Sequence, residues 1–345
     1  MNLESVAKIV DSIAIIKTPS LLAKPHHLPN GRFTNPWVSA GKPIGFFSII
    51  KHFRDINWKR YRSIPPINER VPVQQVDFLL LKQITEKQTN TNYSVTWLGH
   101  SSFLIVWNGV RILTDPVLSQ RCSPFSFLGP KRYTQPAVEL KNISDMFPID
   151  LVLISHCHYD HLDAATIKAI GNQAHYIVPL KTSPLLTGFS IKPSHITELD
   201  WHEQLDIDFG NGNKLQINCT PAQHGSARWF WDRDAYLWCS YVVQDTTAKF
   251  FFAGDTGYRK VPRGIFGDAV LNYPHNPEFK EIGDKFKDID VALLPIGAYS
   301  PKHVFSLVHA DPYDAACIFK DIKAKKFHPM HYGSHYLYRY IYVNR

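Results

Sequence analysis

The sequence predicts an α/β (α+β) protein whose mixed sheets carry their helices on the outside. One sign is an opening hairpin, in which SVTWLG (94–99) and FLIVW (103–107) lead to Asn108-Gly109 and then VRILTD (110–115). Strands flanking Asn-Gly signal a tight two-residue turn. The other sign is alternation: DLVLIS (150–155) is a continuous apolar run of buried-strand length, and DAATIKAIG follows with Asp163 placed to cap a helix and Gly171 to end it. Further strands are expected at HYIVP (175–179), KLQINCT (214–220), LWCSYVVQ (237–244), KFFFAG (249–254), DVALLPIG (290–297) and KFHPM (326–330). Asp311 and Pro312 suit the N-cap and first position of a helix reaching about Lys323.

Residues 1 to 91 read as a proline-rich extension that wraps another domain, since Pro19, Pro25, Pro29, Pro36, Pro43, Pro65, Pro66 and Pro72 break any long periodic element. The remainder, 92–345, reads as the catalytic domain. A net charge of +8 favours anionic partners, and its densest block is KHFRDINWKRYR (51–62), for which a solvated basic face is the default reading over contact with RNA or a membrane. Five cysteines without a CxxC pair fit a reducing cytoplasm. The first 24 residues lack the pattern of a secretory signal, and an amphipathic helix at a membrane interface is compatible with them. No run of about 18 apolar residues predicts a spanning helix.

The chemistry is concentrated in HCHYDH. His156, His158, Asp160 and His161 follow the buried strand directly, where the chain must turn toward a helix. Two residues apart at an extended strand end, His156 and His158 point to one side and form a pair for one metal. The bend then aims Asp160 and His161 at a second position. Imidazole and carboxylate donors suit zinc, iron or manganese, and Cys157 alternates away from them. Further donors end other expected strands: His224 in TPAQHGS, Asp255 in AGDTG and His331 in PMHYGS, each beside a glycine that permits a tight turn.

HCHYDH resembles the His-x-His-x-Asp-His signature of the metallo-β-lactamase fold, and His224, Asp255 and His331 fall in the order of that family's remaining ligands. The resemblance implies a four-layer αβ/βα sandwich with two Zn2+ ions, or other divalent transition metals, at one edge. By it, His156, His158 and His224 hold the first metal, Asp160, His161 and His331 the second, and Asp255 bridges. Two such ions can lower the pKa of a shared water to about 7 and hold both oxygens of a phosphoryl displacement. His158 stands where the flavo-diiron branch has Glu, which argues against a redox role.

GRFTNPW (31–37), TWLGHSSFLI (96–105), ILTDPVLSQRCSPFSFLGPKRY (112–133), AGDTGY, LLPIGAY and VHADPYDA resemble the subgroup of N-acyl-phosphatidylethanolamine-hydrolysing phospholipases D. This implies a phosphodiesterase that releases N-acylethanolamine and phosphatidate, with Asp160 and His309 as catalytic residues. Asp115 could orient a ligating imidazole or simply end a strand before proline. His100 reads as a support behind a ligand or a core residue, and Lys131 and Arg132 as a phosphate-meeting pair whose default is solvation. The subgroup has Trp-Gly-Thr after the last histidine, where this chain has Tyr332-Gly333-Ser334. The expected partner is a phospholipid or another phosphodiester, with the protein cytoplasmic and in reach of peripheral membrane association. Homo-oligomers are left open, and nucleic acid is not expected. Rival readings are a lactonase or phosphodiesterase for a small soluble phosphorylated substrate, and a non-catalytic metal-binding protein of the same fold.

Overall fold

The computed structural model describes residues 13–41, 66–86 and 93–335, except 126, 147, 211 and 266. Two sheets lie face to face. The first holds six strands in chain order, β2 (Tyr93–Gly99), β3 (Ser102–Trp107), β4 (Val110–Thr114), β5 (Leu151–Leu153), β6 (His175–Pro179) and β7 (Ile196–Leu199). Its first three strands form an antiparallel meander, and β4 to β7 run parallel. The second holds seven in the order β1 (Ala14–Thr18), β8 (Gln204–Asp208), β9 (Lys214–Thr220), β10 (Ser240–Gln244), β11 (Lys249–Phe252), β12 (Ile289–Pro295) and β13 (Ala324–Met330).

One core fills the space between the sheets, where Phe103, Ile105, Leu151, Leu153 and Ile177 face Ile217, Tyr241 and Phe250. The opposite face of the six-stranded sheet carries Leu104, Val152 and Ile154 against Ile143 of α2 (Leu140–Met146), Ile167 and Ile170 of α3 (Ala164–Ile170) and Leu186 of α4 (Ser183–Gly188). Leu81 of α1 (Phe78–Glu86) joins them. Beyond the seven-stranded sheet lie α5 (Glu278–Phe286) and α7 (Pro312–Asp321), which bury Phe279, Ile282 and Ile318. A single helical turn, α6 (Lys302–Phe305), precedes α7. These are the four layers αβ/βα. Strand β5 is apolar throughout because helices cover one of its faces and the second sheet covers the other.

Local signals produced what they promised. Asn108 (φ 49°) and Gly109 (φ 81°) both take positive φ in the β3–β4 turn, as a tight hairpin with right-handed twist requires. Asp163 caps α3 by accepting from Ala165 N, and Asp311 caps α7 by accepting from Asp314 N. The strand expected over 237–244 begins at Ser240 instead. Leu237 and Cys239 spend their backbone N–H groups across the sandwich, on Leu180 O and Ser155 O.

The N-terminal expectation needs correction. Ala14–Thr18 is not helical but pairs antiparallel with β8 as the edge of the seven-stranded sheet. The rest of that segment, and the basic block 51–62, lie outside the described residues. Downstream, the chain is tied to the sandwich at several points. His26 pairs with the buried Asp200 (2.8 Å) and stacks on Trp201, and Ser39 Oγ donates to Gln223 Oε1 (2.6 Å). Among the described residues, no helix is long and apolar enough to cross a membrane.

Candidate metal centre

Strands β4, β5, β9, β11 and β13 all deliver their C-terminal ends to one edge of the sandwich. The first fixed point there is Asp115, directly after β4 and fully buried. Its Oδ1 accepts from Ser155 N (2.7 Å), its Oδ2 accepts from Ser155 Oγ (2.5 Å), and Oδ2 also lies 2.6 Å from His161 Nδ1. A carboxylate against Nδ1 assigns a proton to that nitrogen and turns Nε2 into the site, where its lone pair is available to a cation that takes the place of the second proton. Ser155 repeats the device, since its Oγ lies 2.9 Å from His156 Nδ1 and leaves His156 Nε2 facing inward.

The loop from β5 to α3 then brings His156 Nε2 to 2.8 Å from His158 Nδ1. His224, after β9, completes this trio with Nε2 at 3.2 Å from His158 Nδ1, while its own Nδ1 donates to Val308 O (2.8 Å). Asp255 sits in the turn after β11, where Gly254 (φ 57°) has no room for a side chain. A Cβ there would meet Ser155 Cβ at 2.4 Å. Asp255 Oδ2 lies 3.0 Å from His331 Nε2, 3.3 Å from His161 Nε2 and 3.9 Å from His224 Nε2. Asp160 Oδ2 closes the other side, 3.1 Å from His100 Nε2, 3.4 Å from His331 Nε2 and 3.6 Å from His161 Nε2.

Burial and charge act differently on these groups. Burial holds the pKa of His158 down at about 4 and that of His224 at about 3, and it pushes His156 the same way, so the trio is neutral. For His161, burial also works downward, but the carboxylates of Asp255, Asp160 and Asp115 outweigh it and hold the imidazole above its ordinary range. His331 is raised likewise, with Asp255 and Asp160 overcoming burial.

The donors fit metal ions. Two donors on one tetrahedral zinc, each about 2.0–2.1 Å from it, stand roughly 3.3 Å apart. The nitrogen–nitrogen and nitrogen–oxygen spacings above cluster about that value. His161 Nε2 and Asp255 Oδ1 are buried without a hydrogen bond, which is costly unless another partner such as a cation satisfies them. Two of the groupings within ligating distance are His156 with His158 and His224, and His100 with Asp160, His161 and His331.

The structure therefore brings together His156, His158, Asp160, His161, His224, Asp255 and His331, with Asp115 behind them, and adds the expected catalytic residue His309 and the supporting candidate His100. His309 places Nδ1 3.6 Å from Asp255 Oδ2 and its ring beside those of His331 and His224. His100 is buried, touches Asp160, and accepts His331 N through its carbonyl. The phosphate reading of Arg132 is overturned: its guanidinium is buried and donates to the carbonyls of Val117, Ser119 and Thr134. Lys131 is exposed.

Other contributors escaped the sequence reading. Ser155 gave only the signal of ending the strand before HCHYDH. Arg228 donates from Nη1 to the carbonyls of Cys157 and Leu162 and lies 3.7 Å from the Tyr159 ring, clamping the histidine loop. Asn35, inside GRFTNPW, donates from Nδ2 to His224 O (2.7 Å), so the proline-rich segment reaches the site. A cavity of about 540 Å³ opens beside the cluster, with His158, His224 and His309 in its wall. A larger cavity of about 1020 Å³ lies among the turns at the opposite edge, around Asn108, Asn213 and Asp245, and contains none of these residues.

Comparison with known proteins agrees with this geometry. Residues 110–332 match the family described as the beta-lactamase superfamily domain. An N-acyl-phosphatidylethanolamine-hydrolyzing phospholipase D 1 from Caenorhabditis elegans is 36% identical over 246 residues, covering 70% of this chain and 64% of the relative. The mitochondrial N-acyl-phosphatidylethanolamine-hydrolyzing phospholipase D of Saccharomyces cerevisiae is 33% identical, over 69% of this chain and 47% of its own length. The chain thus spans less than two thirds of either relative. Among solved structures, a metallo hydrolase from Ignicoccus hospitalis shares 24% identity over 69% of this chain and 82% of its own, with a TM-score of 0.47.

Proposed function

We propose, from the premise that this chain belongs to the beta-lactamase superfamily and is a metal-dependent hydrolase, that it is a zinc phosphodiesterase of the phospholipase D type. Its substrate would be N-acyl-phosphatidylethanolamine, cleaved to N-acylethanolamine and phosphatidate. The observation that carries the reading is the seven-residue donor set that includes Asp255, beside a cavity whose wall holds two of its members, His158 and His224, in a chain whose relatives bear that activity in their names.

In this reading His156, His158 and His224 would hold one zinc and Asp160, His161 and His331 the other, with the Asp255 carboxylate within reach of members of both groups. Bound there, the two ions supply Lewis acidity and an activated water. The protein's own part is orientation. Asp115 and Ser155 fix the ring tautomers, His224 is anchored through Val308 O, and His100 steadies Asp160. His309, in the cavity wall, contacts the scissile diester, and with Asp160 it moves the proton that the leaving alkoxide takes up. Residues 1–91 serve as an extension to the catalytic domain 92–345, a division supported by the ties from Asn35 and Ser39 to residues beside the site.

The test is incubation of the purified protein with N-acyl-phosphatidylethanolamine in mixed micelles and, separately, with soluble phosphodiesters. Release of N-acylethanolamine is expected. Cleavage of soluble diesters alone would reject the lipid substrate and favour the small-substrate branch, and retention of metal with no cleavage of either would leave a metal-binding protein.

A further inference from the structure

We propose that two aromatic loop tips beside the cavity mouth form a docking face for an anionic phospholipid bilayer. The inference deepens the lipid reading above and rests on it only for its purpose. The first tip, between β4 and α2, carries Phe125, Phe127 and Leu128, and the second, following His224, carries Trp229, Phe230 and Trp231. Phe230 is 86% exposed, Phe127 76%, Leu128 59% and Trp231 58%, whereas side chains of this size are ordinarily withdrawn from water.

The two tips belong to one face. Phe125 and Trp229 have ring centroids 6.4 Å apart, and Trp229 stacks on Trp231 at 5.2 Å with the planes 5° apart. Trp229 and Phe230 also stand in the wall of the cavity that contains His158, His224 and His309, so the second tip borders the site directly.

Charge identifies the occupant. Arg121 and the exposed Lys131 flank the first tip, with Arg121 held by Gly129 O (2.7 Å). Under the second, Arg32 donates to the carbonyls of Trp231 (2.9 Å) and Arg233, and Arg233 is itself exposed. Of the nearby carboxylates, Asp232 is occupied within its own turn by Arg228 N and Trp229 N, and Asp234 faces Arg233 at 3.4 Å. Tryptophan and phenylalanine on loop tips, with cations set just behind them, match the layered chemistry of acyl chains beneath anionic headgroups.

The second tip is also continuous with the catalytic loop. Arg228, next to Trp229, holds the carbonyls of Cys157 and Leu162, which flank the stretch carrying His158, Asp160 and His161. Docking therefore presents the cavity mouth to the lipid plane at the place where the histidine loop is anchored.

Cosedimentation of the full chain with phosphatidylcholine vesicles, and with vesicles containing phosphatidylglycerol, tests the proposal. Wild type should bind the anionic vesicles, and more weakly at high salt, while the double variant Phe127→Ser/Trp231→Ser should bind them about tenfold less. Melting temperature and circular dichroism check its fold, and Phe230→Ser alone serves if the double variant fails to fold. Equal sedimentation of variant and wild type, or no binding by wild type, would overturn the proposal. So would a solution dimer that the substitutions dissociate in the absence of vesicle binding, since the face would then join copies of the chain. His158→Ala should sediment like wild type even though its hydrolysis falls roughly 10²-fold, which separates failure of docking from failure of the substrate assignment.

Discussion

The two halves of the cluster are built from the same ring chemistry in opposite electrostatic settings. His156, His158 and His224 are three imidazoles gathered within ligating distance of one another, and Asp255 comes only to 3.9 Å from His224. Burial dominates there, and the rings stay neutral. His161 and His331 are buried as deeply, yet each has carboxylate oxygens of Asp160 and Asp255 within 3.6 Å. There the carboxylates dominate. The first half offers lone pairs without compensating charge, and the second offers charge that protons or a cation must neutralise. A histidine's charge in this cluster is therefore set by which aspartates come within reach of its ring.

Removing the group common to both halves should have the largest effect. Asp255→Asn is expected to lower hydrolysis by roughly 10³-fold, with loss of bound metal, measured by steady-state kinetics and elemental analysis. An unchanged metal content would break the idea that the halves share this carboxylate. Next come the halves taken singly: His158→Ala and His331→Ala should each cost roughly 10²-fold in activity and each retain about one ion of the proposed pair. Loss of both ions from either variant would show that the halves are not separable.

A smaller effect is expected from Asp115→Asn, which keeps the shape but weakens the hold on His161 Nδ1 and Ser155. Metal affinity or activity should fall roughly 10–100-fold, and the change should be read in the His161 half. Smallest is a control distant from the cluster. Burial lowers His175 to about 4 while its Nε2 pairs with Thr197 Oγ1 (2.8 Å). Its ordinary pKa is about 6.5, so the unfolded chain takes up this proton first as pH falls. The stability it contributes is complete above about 6.5 and is lost as pH drops through the window down to the folded value. His175→Gln should flatten the pH dependence of denaturant-induced unfolding in that window by up to about one proton. An unaltered slope would show that His175 already titrates normally.

Much of this was legible because it was local. HCHYDH sits between an apolar strand and a capped helix, so its neighbours announce both the turn and the edge it occupies. The Asn108-Gly109 turn and the Asp163 and Asp311 caps are likewise decided within a few residues. Pairing over long separations was not legible. AIIKT at 14–18 is apolar enough for either a helix or a strand, and only its partner β8, nearly two hundred residues on, decides the matter. Strand β8 alternates Gln204, Asp206 and Asp208 with Leu205 and Ile207, and Gln204 and Gln216 both bond Asp206, a polar network visible only once the sheet is formed. Arg132 misled for the same reason, since a basic residue next to lysine reads as solvated until three carbonyls are found around it.

The cluster also straddles a seam. Asp115 and residues 156–161 leave the six-stranded sheet, whereas His224, Asp255 and His331 leave the seven-stranded one, and the hydrogen bond from Cys239 N to Ser155 O crosses between them. The apolar contacts joining the sheets resist separation but are nearly indifferent to a small slide along the strands. The cluster is not indifferent, because a slip of about one ångström would carry donors from the two sheets out of reach of a shared ion. In mechanical terms the site is the alignment pin of the sandwich, registering two plates that the core merely glues together.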